Sequence, residues 1–173
     1  PSNGTAPLTV ASVGAGATGV ELAAELHASA RVLVNYGFDN INPEKDLRIV
    51  LIEAGPRLLP QLPERLGNSG VRELHKLAIE VHTNEKVVEV TPQGLKMASG
   101  NVIAATISVW AAGVKAPDFL KGIGGDAGKD ALETNRINQL VVNDRLQTTR
   151  DADIYAFGDC ADCPQPDGGH VPP

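Results

Sequence analysis

The stretch LTVASVGAGATGVELAAELH, residues 8–27, passes with no spacer from an apolar strand pattern through three spaced glycines into a helical pattern. LTVASV reads as a buried strand, and Gly14, Gly16 and Gly19 follow it directly. From Thr18 the period becomes helical: Leu22, Ala23, Leu26, Ala30 and Leu33 share one face, with Glu21, Glu25, His27 and Arg31 mostly off it. In a strand-to-helix turn of this kind the first glycine permits the tight bend. The second lets a pyrophosphate reach the backbone, and the third lets helix and strand pack closely. Unpaired amides at the helix start, aided by the helix dipole, favour phosphate charge.

Working outward, residues 35–46 (NYGFDNINPEKD) read as a loop and residues 47–53 (LRIVLIE) as a second strand halted by Gly55-Pro56. Strand, helix and strand form a βαβ unit, whose parallel strands require a right-handed crossover. Glu53 ends the second strand, where a carboxylate accepts hydrogen bonds from the adenosine ribose and repels a 2′-phosphate, favouring NAD(H) over NADP(H). It lies 34 residues after Gly19, against a usual separation of about 20; the long helix and following loop account for the excess. Arg57 reads as a solvated loop charge. Glu21, just beyond the last glycine, reads from the sequence alone as a first-turn carboxylate facing the helix dipole.

Further along, residues 64–79 suit a second helix with Leu66, Val71, Leu74 and Ala78 inward, and residues 80–83 a third strand. Residues 86–90, 95–97 and 101–103, separated by turn residues, suit a small antiparallel meander, and residues 106–111 return as an apolar strand ending at Ala112-Gly113. Residues 121–131 are rich in glycine and charge and read as mobile; residues 139–143 and 154–157 are short strand candidates. The expected fold is α/β: a Rossmann-like parallel sheet with a small antiparallel meander.

Composition narrows the function. The 173 residues carry a net charge of −6, 42% hydrophobic and 21% charged residues, which is globular chemistry without the basic footprint of a nucleic-acid binder. The longest nearly apolar run, residues 102–114, has 13 residues and is too short to span a bilayer, and no secretory signal opens the sequence. Cys160 and Cys163 have redox-motif spacing without a thioredoxin-like context, and two cysteines suit a reducing compartment. The four histidines, His27, His75, His82 and His170, lack metal-ligand spacing, so no metal site is expected. Trp110 and the five other aromatics suit packing rather than base stacking.

The sequence resembles the type II NADH dehydrogenases, the non-proton-pumping, flavin-containing NADH:quinone oxidoreductases of bacterial respiratory membranes. The stretches that carry the likeness are VGAGATGVELAAELH (13–27), VLIEAGPRLLP (50–60), VWAAGVKAPDFL (109–120), ETNRINQLVVNDRLQTTRDADIYAFGDCADCP (133–164) and GGHVPP (168–173). The resemblance implies a flavoprotein with two dinucleotide-binding domains, the NADH domain inserted into the FAD domain. Residues 1–7 are then a lead-in, 8–113 the NADH-binding domain and 114–173 a partial return into the FAD-binding domain, the whole being a fragment inactive by itself.

It further implies that NADH passes a hydride to FAD, which reduces quinone, with Gly14, Gly16 and Gly19 on the NADH pyrophosphate and Glu53 on its ribose. Ala112 and Gly113 would leave room for the dinucleotide, Glu21 would lie near the nicotinamide–flavin junction, and Asp159 would contact FAD. The full-length protein would sit peripherally on the cytoplasmic side of the bacterial inner membrane, and the fragment would be soluble. Strand 154–157, deprived of its neighbours, would repack or pair with a second copy as a homodimer. The alternatives are a related disulfide- or ferredoxin-type flavoprotein reductase, or a non-catalytic NAD(H)-binding module.

Overall fold

A computed structural model describes residues 7–36, 42–125, 131–166 and 168–171. Residues 1–6 of the lead-in, the middle of the 35–46 loop and residues 126–130 of the glycine-rich 121–131 stretch lie outside the described residues. The chain forms two compact units, residues 1–112 and 113–173.

The first unit is built on a four-stranded parallel sheet in the order β3-β2-β1-β7, from β1 (Leu8–Val13), β2 (Leu47–Ile52), β3 (Glu80–His82) and β7 (Ile107–Trp110). The central pair runs in register from Leu8 opposite Leu47 to Val13 opposite Ile52. Because side chains alternate along a strand, Ile49 and Leu51 face one way and Val50 and Ile52 the other. The first pair packs with Ala15, Ala23, Leu58, Leu74 and Ile79 beneath the helices α1 (Ala17–Asn35) and α3 (Glu64–Lys76). The second pair packs with Ala11, Val13, Leu95 and Met97 beneath a three-stranded antiparallel sheet of β4 (Val87–Thr91), β5 (Gly94–Met97) and β6 (Val102–Ala104). Burial on both faces is why β2 reads as an unbroken apolar run from Ile49 to Ile52. At the sheet edge, Arg48 Nε and NH2 each donate at 2.7 Å to the two Glu80 oxygens, fastening the three-residue β3 to β2.

Several boundaries depart from the sequence expectations. Helix α1 starts at Ala17, so Glu21 is its fifth residue and no acidic side chain occupies its first turn. The dipole reading of Glu21 therefore fails, since that effect fades within one turn. Leu33 is 48% exposed, because the buried stripe runs through Gly19 and Ala23 with Val20, Ala24 and Leu26 beside it. The 35–46 loop contains a short helix, α2 (Pro43–Asp46), which begins on a reciprocal cap: Glu44 N donates to Asn42 Oδ1 and Asn42 N to Asp46 Oδ2.

Helix α3 stops at Lys76, three residues early, because Ala78 takes a positive φ of 55° and Ile79 N turns back to Leu74 O. Ala78 is thereby exposed and Leu66 is 41% exposed; Gly67 takes the inward place instead, its absent Cβ leaving 2.7 Å to Leu58 O. Arg57 is not a free solvated charge. Its guanidinium donates to Leu62 O and Pro60 O and closes the loop before α3.

The second unit has little regular structure. Its core is Ala116, Leu120, Leu132, Leu140, Val142, Ala156 and Ala161, with, among the described residues, only a two-residue parallel pair, β8 (Leu140–Val141) and β9 (Ala161–Asp162). Of the expected strand 139–143 only β8 forms. The expected strand 154–157 reduces to one antiparallel bridge, Gln147 with Tyr155, supported by Ala156 N on Leu146 O, because Asp151 and the turn around it fold the segment back locally.

Candidate functional site: a glycine turn and its carboxylate

At the carboxyl end of β1, Gly14 takes φ +104°. A Cβ there would lie 2.8 Å from the backbone and Cβ of Ala112, so glycine is required both by conformation and by the close approach of the segment after β7. Gly19, inside α1, faces the same turn: a Cβ on it would lie 1.9 Å from Gly14 O. The helix therefore reaches the strand end only because Gly19 lacks a side chain, while the missing Gly14 side chain admits Ala112. Gly16 is the extended residue just before α1, and nothing lies within 4 Å of where its Cβ would project. No side chain caps the helix, and its ladder begins with Val20 N on Gly16 O. The amides of Ala17, Thr18 and Gly19 precede that ladder and have no acceptor within the helix.

Glu53 follows β2 by one residue and is tied into the same turn. Its Oε2 accepts from Ala15 N at 2.8 Å and its Oε1 from Gly55 N at 2.7 Å. Its main chain is bonded to the β3 exit, Glu53 N to His82 O at 2.8 Å and Glu85 N to Glu53 O at 3.0 Å. The carboxylate is thus fixed beside the glycine turn as an acceptor, and each oxygen keeps lone-pair capacity beyond the one amide it receives. A glycine turn with open amides next to a fixed carboxylate binds an anion and a vicinal diol together, the two polar features of an adenosine diphosphate. It opposes a phosphate on that diol.

Gly14, Gly16, Gly19, Glu53 and Ala112 converge on this edge of the sheet. Ala112 O accepts from Trp110 Nε1 at 2.7 Å, which aligns the strand end beside Gly14. Glu21 does not join the cluster; it lies exposed along α1, on a shallow face with Thr18, Leu22, Glu25 and Ala28. Gly113 opens the second unit with φ +79°. Asp159, also in that unit, is exposed in a 3₁₀ turn, Gly158–Cys160, beside a depression of about 260 Å³ lined by Leu146, Phe157, Ala161 and Val171.

The sequence reading missed Ala15 and Gly55, whose amides hold Glu53. Gly55 was visible as a breaker, but its hydrogen bond depends on where Glu53 points. Cys160 and Cys163 are both free thiols, with their sulfurs on Phe157 O and Pro164 O. Two histidines sit on carboxylates, His82 on Glu80 at 3.4 Å and His170 on Asp162 at 2.6 Å. The Arg48 guanidinium, helped by His82, holds the Glu80 carboxyl below its ordinary range. Among the described residues, no three His, Cys, Asp or Glu side chains gather as a metal site, and no helix is long and apolar enough to cross a membrane.

Parallel sheet, glycine turn and strand-end carboxylate define a dinucleotide-binding fold of the type found in flavoproteins with two such domains. The chain belongs to the pyridine nucleotide-disulphide oxidoreductase family, whose model matches residues 2–171. It is 46% identical over 166 residues to a type II NADH:quinone oxidoreductase of Haemophilus influenzae, covering 96% of this chain and 36% of that protein. It is 33% identical over 156 residues to the type II NADH:quinone oxidoreductase NdhA of Mycobacterium tuberculosis, covering 88% and 33%. The chain thus spans about a third of the length of these relatives. Among solved structures, NDH2 of Plasmodium falciparum in complex with NADH superposes with a TM-score of 0.69 at 27% identity, covering 90% of this chain and 32% of that one. A ferredoxin reductase of Rhodopseudomonas palustris shares the fold at 22% identity and a TM-score of 0.69.

Proposed function

We propose that this chain supplies the NADH-binding part of a flavin-dependent NADH:quinone oxidoreductase, with residues 8–113 holding the dinucleotide and 114–173 returning to the flavin-binding part. The observation that carries the reading is Glu53, locked by Ala15 N and Gly55 N beside the open Gly16 turn. In this reading Gly14, Gly16 and Gly19 shape the pyrophosphate cradle and the Ala17 and Thr18 amides meet its charge. Glu53 accepts from the ribose hydroxyls and rejects a 2′-phosphate. Arg57 offers such a phosphate no relief, because its guanidinium is engaged on Pro60 O and Leu62 O.

Ala112 and Gly113 leave the dinucleotide its groove, and Glu21 stands toward the nicotinamide end. Asp159, an exposed acceptor beside an apolar depression, suits the polyhydroxyl or phosphate side of FAD. The flavin, when bound, supplies the two-electron acceptor between NADH and quinone. No side chain here is required as a nucleophile; the protein's contribution is alignment. The relatives' names support quinone as the final acceptor; a peripheral position on the cytoplasmic face of the bacterial inner membrane belongs to the same proposal for the full-length protein.

Titrating NADH and NADPH into the purified chain by calorimetry tests the reading. NADH binds in preference to NADPH, and Glu53→Gln weakens NADH about tenfold, or about 1.4 kcal/mol, because its amide group presents a donor to one of the two amides it now accepts from. Absence of NADH binding, or a preference for NADPH, overturns the assignment.

A further inference from the structure

The turn that carries Asp159 is held in an unusual way. Asp159 makes no side-chain hydrogen bond among the described residues, and its neighbour Phe157 is 75% exposed. The main chain of the turn has one short bond of its own, Ala161 N on Gly158 O. Its buried anchor comes from elsewhere: Gln139, only 3% exposed, donates from Nε2 to Asp159 O at 3.1 Å and to Ala161 O at 3.2 Å. Gln139 immediately precedes β8, which pairs with β9 from Leu140 opposite Ala161. Its side chain therefore reaches past the end of that two-residue pair and holds the segment that the ladder cannot.

Gln139 is itself fixed. Its Oε1 accepts from Asn135 Nδ2 at 2.9 Å, its N donates to Asn135 Oδ1 at 3.1 Å, and Asn135 N donates to Gln139 O at 2.9 Å. Both amide donors and the acceptor of a buried polar side chain are thereby used. A hydrophobic residue would fill this place with no polar atoms to satisfy. A fully bonded amide is the group that specifies where two carbonyls stand.

We propose that Gln139, braced by Asn135, is a positioning residue for flavin binding that acts through Asp159, by fixing the main chain from which the Asp159 carboxylate projects. The proposal rests on the reading that Asp159 contacts the flavin. It adds that the geometry of that contact is set from 20 residues upstream in sequence.

The test is a double-mutant cycle on flavin affinity, measured by fluorescence of released FAD in the flavin-loaded natural protein that carries this sequence. Asp159→Ala alone raises the FAD Kd about tenfold or more, and Gln139→Met, which removes both donors at similar volume, raises it about fivefold. In the Asp159→Ala background, Gln139→Met then has no further effect on the FAD Kd, while NADH affinity stays at the wild-type value in the single Gln139 variant. A merely structural role predicts instead that the two effects multiply, and that result overturns the proposal. So does a wild-type FAD Kd in Gln139→Met. An unchanged FAD Kd in Asp159→Ala removes the underlying reading and the proposal with it, and that variant alone reveals which has failed. Should Gln139→Met not fold, Asn135→Asp, which replaces the donor to Gln139 Oε1 with a charged acceptor oxygen, is put through the same cycle with an effect in the same direction.

Discussion

The two units hold their chains by different means. In residues 7–36 and 42–112 the main chain is satisfied by strand ladders and two long helices, and Ile49, Val50, Leu51 and Ile52 of β2 are buried on both faces. Among the described residues of 113–171 only four lie in paired strands, and polar side chains replace the ladder. Asn138, fully buried with φ 66°, donates from Nδ2 to Asp118 Oδ1 at 2.8 Å, and Gln139 ties the Gly158–Cys160 turn. A ladder spreads its support over many equivalent bonds. A side-chain brace concentrates it in one residue, so that a single substitution moves a whole turn.

Three measurements sharpen or break that contrast. The largest effect is expected in the ladder-held unit: Leu51→Ala, at a site with no solvent exposure, lowers stability by about 2–5 kcal/mol. Chemical denaturation measures it. Native-state hydrogen exchange places the difference, with the amides of β1 and β2 protected most and those of residues 131–166 less. Equal protection in both regions would remove the distinction.

Next in size is Gly19→Ala. Its Cβ would meet Gly14 O at 1.9 Å, so α1 must shift from the strand end at about 1–3 kcal/mol. NADH affinity falls with it, since the shift moves the amides that meet the pyrophosphate. Gly16→Ala, with nothing within 4 Å of the new methyl group, leaves stability near wild type and acts on NADH binding alone. Stability loss of equal size in the two variants would show that the turn is not built as described.

The smallest effect is acid sensitivity at the sheet edge. Arg48 lowers the folded-state pKa of Glu80, so the pair contributes stability above the ordinary glutamate range. That contribution declines as pH falls through that range and is lost below the depressed folded value. Because both groups are partly exposed, the gain is at most about 1 kcal/mol. Arg48→Met flattens this part of the stability–pH profile, and an unaltered profile would show that the pair contributes nothing.

Much of the first unit was legible because its signals are local. The run at 47–52 has the apolar continuity that a doubly covered strand needs, and the glycines of 14–19 sit where strand period gives way to helix period. The meander too was marked by its turn residues. Less legible were places where a local pattern competes with a distant contact. Leu66 looks inward by periodicity, yet Gly67 holds that position because Leu58 O lies 2.7 Å from where a Cβ there would stand. Ala78 continues the helical pattern, yet the chain must turn there to enter β3. In the second unit, strand 154–157 was read from apolar residues, whereas the turn at Asp151 and the bond to Leu146 decide its path.

From the sequence alone came the strand–glycine–helix switch, the acidic end of the second strand and the likeness to NADH-oxidising flavoproteins, all of which depend on residue type and spacing over short distances. Only the folded chain shows that Glu53 is clamped by Ala15 and Gly55, that Gly19 is required by the Gly14 carbonyl and Gly14 by Ala112, and that Gln139 carries the turn of Asp159. Apart from Glu53 with Gly55 and Gly14 with Gly19, those pairings join residues 20 to 98 positions apart, and a hydrogen bond or a steric contact at such separation is fixed by where packing brings the backbone, which no local pattern encodes.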